Sequence, residues 1–440
     1  MTHAPAKPLT AELSATRATR VRWFPILALV FTATMINYLN RTVFGIAKPL
    51  LVSDLHIDPV WAGLLGSAFQ WSYAAAQLPA GALLDRLGTR LTYTLSLVGW
   101  SVFTLMQGAV SGVGAMIGAR VGLGLFEAPC FPANSRVLAH WFPQDERARA
   151  NSIYSVGMFA GIAFLSVPLF WLTETYGWRD LFVLTGVLGI VFGFLWYLVY
   201  REPHESRLAN RAEIEQIVAG GGLKTQAAKT EFRWSYVKKL LSTRLMICAS
   251  VAQFGTNAVL TFFLIDFVNY LIVQRHMAFL NAGFYAALPY MAAAVGGVVG
   301  GQISDQLLKS GKGANLARKL PIAVGLLLAA CLPVVSYIPA DENWLVILVM
   351  SVVFFGQGAS NLGWTVLSDI APKQLVGLSA GFFNLITNLS GIITPIAIGI
   401  ILQYTGSYNL SFAFIGALPL LGALLYIFAM GDIKRMEFTE

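Results

Sequence analysis

Long apolar runs fill the chain from about residue 23 to residue 430, and short polar or charged connections separate them. A helix needs about 20 mostly apolar residues to cross the hydrocarbon core of a bilayer. Runs of that kind occupy residues 23–48, 61–84, 91–109, 113–138, 151–173, 179–200, 244–272, 282–304, 319–338, 343–367, 377–403 and 409–430. Helices satisfy their own backbone polar groups in lipid, so the pattern predicts an all-α membrane protein with 12 transmembrane helices. The longest break between runs divides them six and six. The predicted organisation is a tail at 1–22, a six-helix half at 23–200, a middle loop at 201–243, a second six-helix half at 244–430 and a tail at 431–440. The first run is longer than a signal-peptide core and no cleavage-like site follows it, so no cleavable leader is expected.

Composition narrows the class. Only 12% of residues are charged and 56% are hydrophobic, whereas a soluble domain carries about 25% charged residues; an ordinary soluble enzyme is excluded. The net charge of +8 is informative through its placement. Lys7, Arg17, Arg20 and Arg22 lie in the first tail, and Arg86, Arg90, Arg147 and Arg149 in connections on the same predicted side. Arg201, Arg207, Arg211, Lys224, Lys229, Arg233, Lys238 and Lys239 follow in the middle loop, then Lys309, Lys312, Arg318, Lys319, Lys373, Lys434 and Arg435. The opposite connections are short and acidic, with Asp54, Asp58, Glu174, Asp180, Asp341 and Glu342. This positive-inside asymmetry puts both termini in the cytoplasm and accounts for the basic residues without a nucleic-acid partner. Cys130, Cys248 and Cys331 each sit in an apolar run and read as small buried hydrophobes. The five histidines, His3, His56, His140, His204 and His276, are scattered at tails and connections. No metal or other cofactor is expected.

The two halves echo each other. Gly81-Ala-Leu-Leu-Asp85-Arg86-Leu-Gly88-Thr-Arg90 follows the second run, and Gly301-Gln-Ile-Ser-Asp305 follows the eighth. Small residues recur as Gly157 and Gly161 in the fifth run and Ser390-Gly391 in the eleventh. Internal duplication of this kind is common in transporters. The segment from Gly81 to Arg90 resembles the signature loop of the major facilitator superfamily. Its residues suit a cytoplasmic latch: glycines for close helix approach, and Asp85 with Arg86 or Arg90, or a neighbouring helix, as the ion pair.

Three further segments resemble the anion:cation symporter family within that superfamily. They are Ile36-Asn37-Tyr38-Leu39-Asn40-Arg41, the stretch Gly124-Leu-Phe-Glu127-Ala-Pro129-Cys-Phe-Pro132-Ala-Asn134 running on to Arg149, and Gly381-Phe-Phe-Asn384. The resemblance covers nearly all of residues 20–435 and is strongest to bacterial transporters of D-galactonate and hexuronates. It implies a major facilitator fold in two pseudo-symmetric halves, a multi-pass protein of the bacterial inner membrane, and a monomer in contact with lipid.

Several charges lie at membrane depth. Arg41 is mid-way along the first run, where an arginine is costly and faces a cavity or a partner. Its planar fork suits a carboxylate, and a structural ion pair is the other reading. Tyr38 is one turn earlier on the same face. Arg120 and Glu127 are two turns apart on one face of the fourth run. Glu127 is the proton-carrier candidate and Arg120 its expected partner. Lys48 lies two turns beyond Arg41 and is either a second anion anchor or a side chain snorkelling to the periplasmic interface. Asp266 is a substitute proton site, a hydroxyl acceptor or a gate partner for Lys48. The resemblance adds Tyr73, Asn384 and Trp364 as substrate contacts. It also marks a departure: relatives commonly place an aspartate directly before the arginine of the first run, and this chain has Asn40.

The expected cavity is cationic and titratable on its N-terminal side and neutral and hydrogen-bonding on its C-terminal side. That suits proton-coupled uptake of a small organic anion, a sugar acid (aldonate, hexuronate or aldarate), by alternating access. The alternatives are an aromatic acid, a small sulfonate or another carboxylate, moved by exchange or export. A membrane enzyme would need a catalytic constellation that the scattered histidines do not supply, and a sensor would need an appended signalling domain that the chain does not show.

Overall fold

A computed structural model describes residues 18–222, 242–372 and 376–436. Lys7, Arg17, Lys224, Lys229, Arg233, Lys238, Lys239 and Lys373 lie outside the described residues. The described residues form helices and no strand. In order they are α1 (Leu27–Asp54), α2 (Pro59–Ala109), α3 (Val113–Glu127), α4 (Cys130–Trp141), α5 (Gln144–Tyr176), α6 (Trp178–Val199), α7 (Arg211–Ala219) and α8 (Arg244–Ile265). There follow α9 (Phe267–Asn269), α10 (Phe279–Lys309), α11 (Gly313–Ala329), α12 (Asn343–Ser360), α13 (Gly363–Ile370), α14 (Val376–Thr405) and α15 (Asn409–Leu424). Nine helical stretches among the described residues are long and apolar enough to cross a membrane.

Several predicted runs are interrupted or fused. The second and third runs form the one element α2, which breaks at Gly88, where φ is +75° and ψ 169°. That left-handed backbone has no steric cost only for glycine, so Gly88 turns the chain between two membrane-length segments. The fourth run divides into α3 and α4 around Ala128 and Pro129, and the tenth into α12 and α13. The middle loop contains α7, whose first turn is capped by Asn210 Oδ1 accepting from Glu213 N at 2.9 Å. Buried Glu213 in turn accepts from Val21 N at 2.9 Å, from Arg22 N at 3.0 Å and from Arg22 Nη1 at 3.2 Å. Arg22 also donates to Glu146 at 2.7 and 3.1 Å. These bonds fasten α7 and the segment at Val21 and Arg22 to the N-terminal half.

Three buried apolar clusters define the shape. One joins both halves, with Phe44, Leu65 and Phe170 packed with Phe262, Phe267, Tyr290 and Phe412. The second belongs to the N-terminal half alone, around Tyr93, Trp100, Trp141 and Trp196. The third belongs to the C-terminal half alone, around Met246, Ile322, Phe383 and Tyr426. The halves therefore share a core at one end of the bundle and keep separate cores at the other, the end that carries Val21, α7 and Met436. At the shared end α1 meets α8 backbone to backbone: a Cβ on Gly45 would stand 2.1 Å from the Leu264 carbonyl oxygen. Cys130 and Cys248 are buried as expected, but Cys331 is exposed; it sits past the end of α11, with its thiol turned toward the Leu327 carbonyl oxygen at 3.4 Å.

Candidate substrate cavity

A recess lies between the halves, where their shared core ends. Asn40, Arg41, Phe69, Gln70 and Arg120 line it from the N-terminal half, and Asn257, Leu260, Thr261 and Asn388 from the C-terminal half. Its charges thus come from α1 and α3, whereas the amides come from both halves, Asn40 and Gln70 from one and Asn257 and Asn388 from the other.

Arg41 is 14% exposed, and its Nε donates to Glu127 Oε1 at 2.5 Å. Its guanidinium lies among three rings, 5.2 Å from the centroid of Tyr38, 5.0 Å from Phe69 and 4.8 Å from Tyr73. Phe69 and Tyr73 stack on one another at 5.3 Å. Aromatic faces attract a cation while leaving its N–H groups free. Glu127 is fully buried, and its Oε2 and Arg41 Nη2 meet no hydrogen-bond partner among the described residues. The pair thus uses one arm of the fork where a bidentate contact would use two.

Arg120 is not the partner of Glu127. Its Nε donates to the Leu65 carbonyl at 2.5 Å and its Nη2 to the Gly66 carbonyl at 3.0 Å, and its guanidinium lies 3.7 Å from the Phe44 ring centroid. Two helical turns span about 10 Å. The two side chains share a face of α3 but not a level, and Arg41 arrives from α1 at the level of Glu127. Lys48 and Asp266 are buried and form an ion pair between α1 and the end of α8, within the core that joins the halves. Asp266 Oδ2 has no partner among the described residues.

Neither of the expected C-terminal contacts, Asn384 and Trp364, is among the residues that line the recess. Asn388 lines the recess and accepts from Gln70 Nε2 at 2.5 Å, across the two halves. Asn384 stands one turn behind it, accepting from Asn388 Nδ2 at 2.9 Å, so it orients Asn388. Trp364 packs edge-on against Phe383 with centroids 4.9 Å apart and is not among the lining residues. Other polar groups tie helices together: Gln253 donates to Asn361 at 3.1 Å, and Asn257 to Ser390 at 2.8 Å. Gln70 escapes the sequence reasoning. The signal that could have found it is a glutamine in an apolar run, one turn before Tyr73.

The latch residues sit at the end where the halves are separate. Asp85 accepts from Arg136 on α4 at 2.9 Å, not from Arg86 or Arg90. Arg90 donates to the Tyr197 carbonyl at 2.9 Å and lies over the Tyr197 ring, Arg86 is exposed, and neither Gly81 nor Gly88 has a neighbour within 4 Å of where a Cβ would stand. Asp305 is exposed; in its half the ion pair is Arg318 with Asp369, at 2.9 Å. His140, expected in a connection, is on α4 and within 2.8 Å of Glu202. No group of residues able to hold a metal ion occurs among the described residues.

A helical bundle in two halves, with a charged recess between them and an apolar outer surface, is the architecture of a membrane carrier. A model described as the Major Facilitator Superfamily matches residues 30–395. The chain is 40% identical to the probable galactarate/D-glucarate transporter GudP of Bacillus subtilis, over 99% of this chain and 97% of that one. It is 37% identical to a D-galactonate transporter of Escherichia coli, over 94% and 97%. Among solved structures it resembles a D-xylose-proton symporter, with a TM-score of 0.72 at 13% identity over 93% of this chain and 100% of the other. The chain belongs to the major facilitator superfamily, a family of transporters and not of enzymes.

Proposed function

We propose that this protein imports a sugar acid together with protons, by alternating access through 12 membrane spans, with both termini in the cytoplasm of a bacterial cell. Adding α5, and α2 counted as two spans at Gly88, to the nine stretches gives twelve. The observation that carries the reading is the half-used fork: Arg41 holds Glu127 through one nitrogen, with a second nitrogen unpartnered among the described residues, on the wall of a recess between the halves. Protonation of Glu127 removes the charge that competes for Arg41, and the substrate carboxylate then takes both arms of the guanidinium. Gln70, Asn257, Thr261 and Asn388 supply donors and acceptors for hydroxyls. The names of the full-length relatives, transporters of galactarate, D-glucarate and D-galactonate, support the substrate class.

The basic residues Arg86, Arg90 and Arg318 mark the separated end as cytoplasmic, so the structure is closed on the outside. The Lys48–Asp266 pair is the outer lock, and Asp85 with Arg136 and Arg318 with Asp369 belong to the inner gate. The test is counterflow of labelled galactarate and galactonate in proteoliposomes holding the purified protein. Saturable exchange that Arg41→Ala abolishes is the expected result. No exchange of any aldonate, hexuronate or aldarate, with exchange of phthalate or a small sulfonate, would replace the sugar-acid reading with its alternative.

A further inference from the structure

A carboxyl that carries a proton across the membrane exists in two states, and the two need different neighbours. A carboxylate only accepts hydrogen bonds, whereas a protonated carboxyl also donates one through its O–H. Arg41 serves the first state alone, since a guanidinium has five donors and no acceptor. Its Nε donates to Glu127 Oε1 at 2.5 Å, which leaves Oε2 as the oxygen with no partner among the described residues. Among those residues, the titratable and charged groups around the carboxylate are Arg41 and Tyr38 on α1, Tyr73 on α2, Arg120 on α3 and Cys130 on α4. The two tyrosine rings lie against Arg41, the Cys130 thiol is 3.2 Å from the Tyr93 hydroxyl, and Arg120 has donors only. Asn37 lies one turn before Arg41 on α1, so the two side chains share a face. It is fully buried, and its amide is within hydrogen-bonding reach of Glu127. In the ion-paired state neither its Oδ1 nor its Nδ2 has a formed hydrogen bond among the described residues. A buried amide left unsatisfied is costly, and it calls for a state of the protein in which it is used.

We propose that Asn37 is the positioning residue for the transported proton: the proton goes from water to Glu127 Oε2, and the new O–H donates to Asn37 Oδ1. No bond within Asn37 forms or breaks. Oε2 is the oxygen that can take the proton, because Oε1 already faces the Arg41 N–H. The amide thus stabilises the state in which Arg41 is free for the substrate. This inference rests on the reading of Glu127 as the coupling acid and adds the group that holds its protonated form.

Two readouts on the purified full-length protein test it. One is the pH dependence of galactarate binding. The other is the carbonyl stretch of the protonated carboxyl in infrared difference spectra between low and high pH. Glu127→Gln should remove that band and leave binding independent of pH, which assigns both signals. Asn37→Leu withdraws the acceptor and keeps a side chain of similar shape. The midpoint of its binding profile should move down by about half to one pH unit, the worth of one hydrogen bond. Affinity then falls about three- to tenfold above the midpoint and is unchanged below it. Its band should move to higher wavenumber, since the O–H has lost its partner. Asn37→Asp offers a charged acceptor in the same shape, so two carboxylates share one proton, and the midpoint should move up by about one unit or more. An unmoved midpoint and band in both variants overturn the proposal, as does a loss of affinity in Asn37→Leu that is equal at every pH. If Asn37→Leu does not fold, Asn37→Asp decides: an upward shift supports the acceptor, and no shift or a downward one rejects it. The infrared band needs no substrate, so it decides even where galactarate does not bind. A band and a pH dependence that survive Glu127→Gln overturn the coupling reading, and the inference with it.

Discussion

Replacing Asp266 with asparagine preserves the shape of the side chain and removes the charge that faces Lys48. Both residues are buried, Lys48 at 3% exposure and Asp266 at 1%, in the core that joins the halves. Leaving one member of a buried pair without its counter-ion costs about 3–5 kcal/mol. The cost falls on the closed state, because opening the outer end lets water reach the lysine. At about 1.4 kcal/mol per power of ten, the balance between closed and open outer ends shifts by roughly two to three and a half powers of ten. Spin labels on cysteines replacing Ser53 and Val273, both exposed at the shared-core end of opposite halves, report the separation. The three native cysteines are replaced first. Asp266→Asn should add a long-distance population that the parent lacks. The double variant Lys48→Met with Asp266→Leu should restore the short distance, since apolar side chains of similar volume replace a buried pair at little or no cost. An unchanged distance distribution in Asp266→Asn, in protein that remains folded, would refute the role of the pair as the outer lock.

Arg41→Lys should weaken substrate binding by about 10- to 100-fold, because an ammonium cannot make the planar two-armed contact; wild-type affinity in a titration would remove the fork argument. Glu127→Gln should retain counterflow and lose accumulation driven by a pH gradient. If it still concentrates substrate, the coupling proton is carried elsewhere and Asp266 is the first residue to examine. Gly45→Ala should push α1 from α8, since the added carbon meets the Leu264 carbonyl oxygen at 2.1 Å. The same spin-label pair should then report a more open outer end, and a closed end would mean that the helices tilt without separating. With Glu127 as the one cycling acid, a diacid enters with one net negative charge, and an inside-negative potential opposes uptake by about 2.3 kcal/mol per 100 mV. Galactarate uptake at fixed pH gradient under potassium and valinomycin clamps checks this. Indifference to the potential would require a second proton.

Much of the architecture is legible in the order of the amino acids. Apolar run length identifies the membrane segments, since lipid cannot satisfy an open backbone. The depth of Arg41, Glu127 and Asp266 within those runs marks them as residues whose charge has to be answered inside the protein, whereas Lys48, at the end of its run, leaves snorkelling open. Helical spacing also places Arg120 and Glu127 on one face of α3. Spacing along a helix says nothing about which neighbour arrives at each level, and there the expectation failed. Arg41 comes across from α1 to Glu127, and Arg120 turns to the carbonyls of α2. The latch failed for the same reason, Asp85 meeting Arg136 on α4. Gln70 and Asn388 are 318 positions apart, and each alone reads as one more amide in an apolar run. The membrane-length apolar segments and the charges at membrane depth that have to be partnered follow from the chain's own pattern. The partners themselves come from the packing, because pairing depends on the rotation and offset between neighbouring helices, and those are set by the summed contacts of whole faces and not by any short stretch of chain.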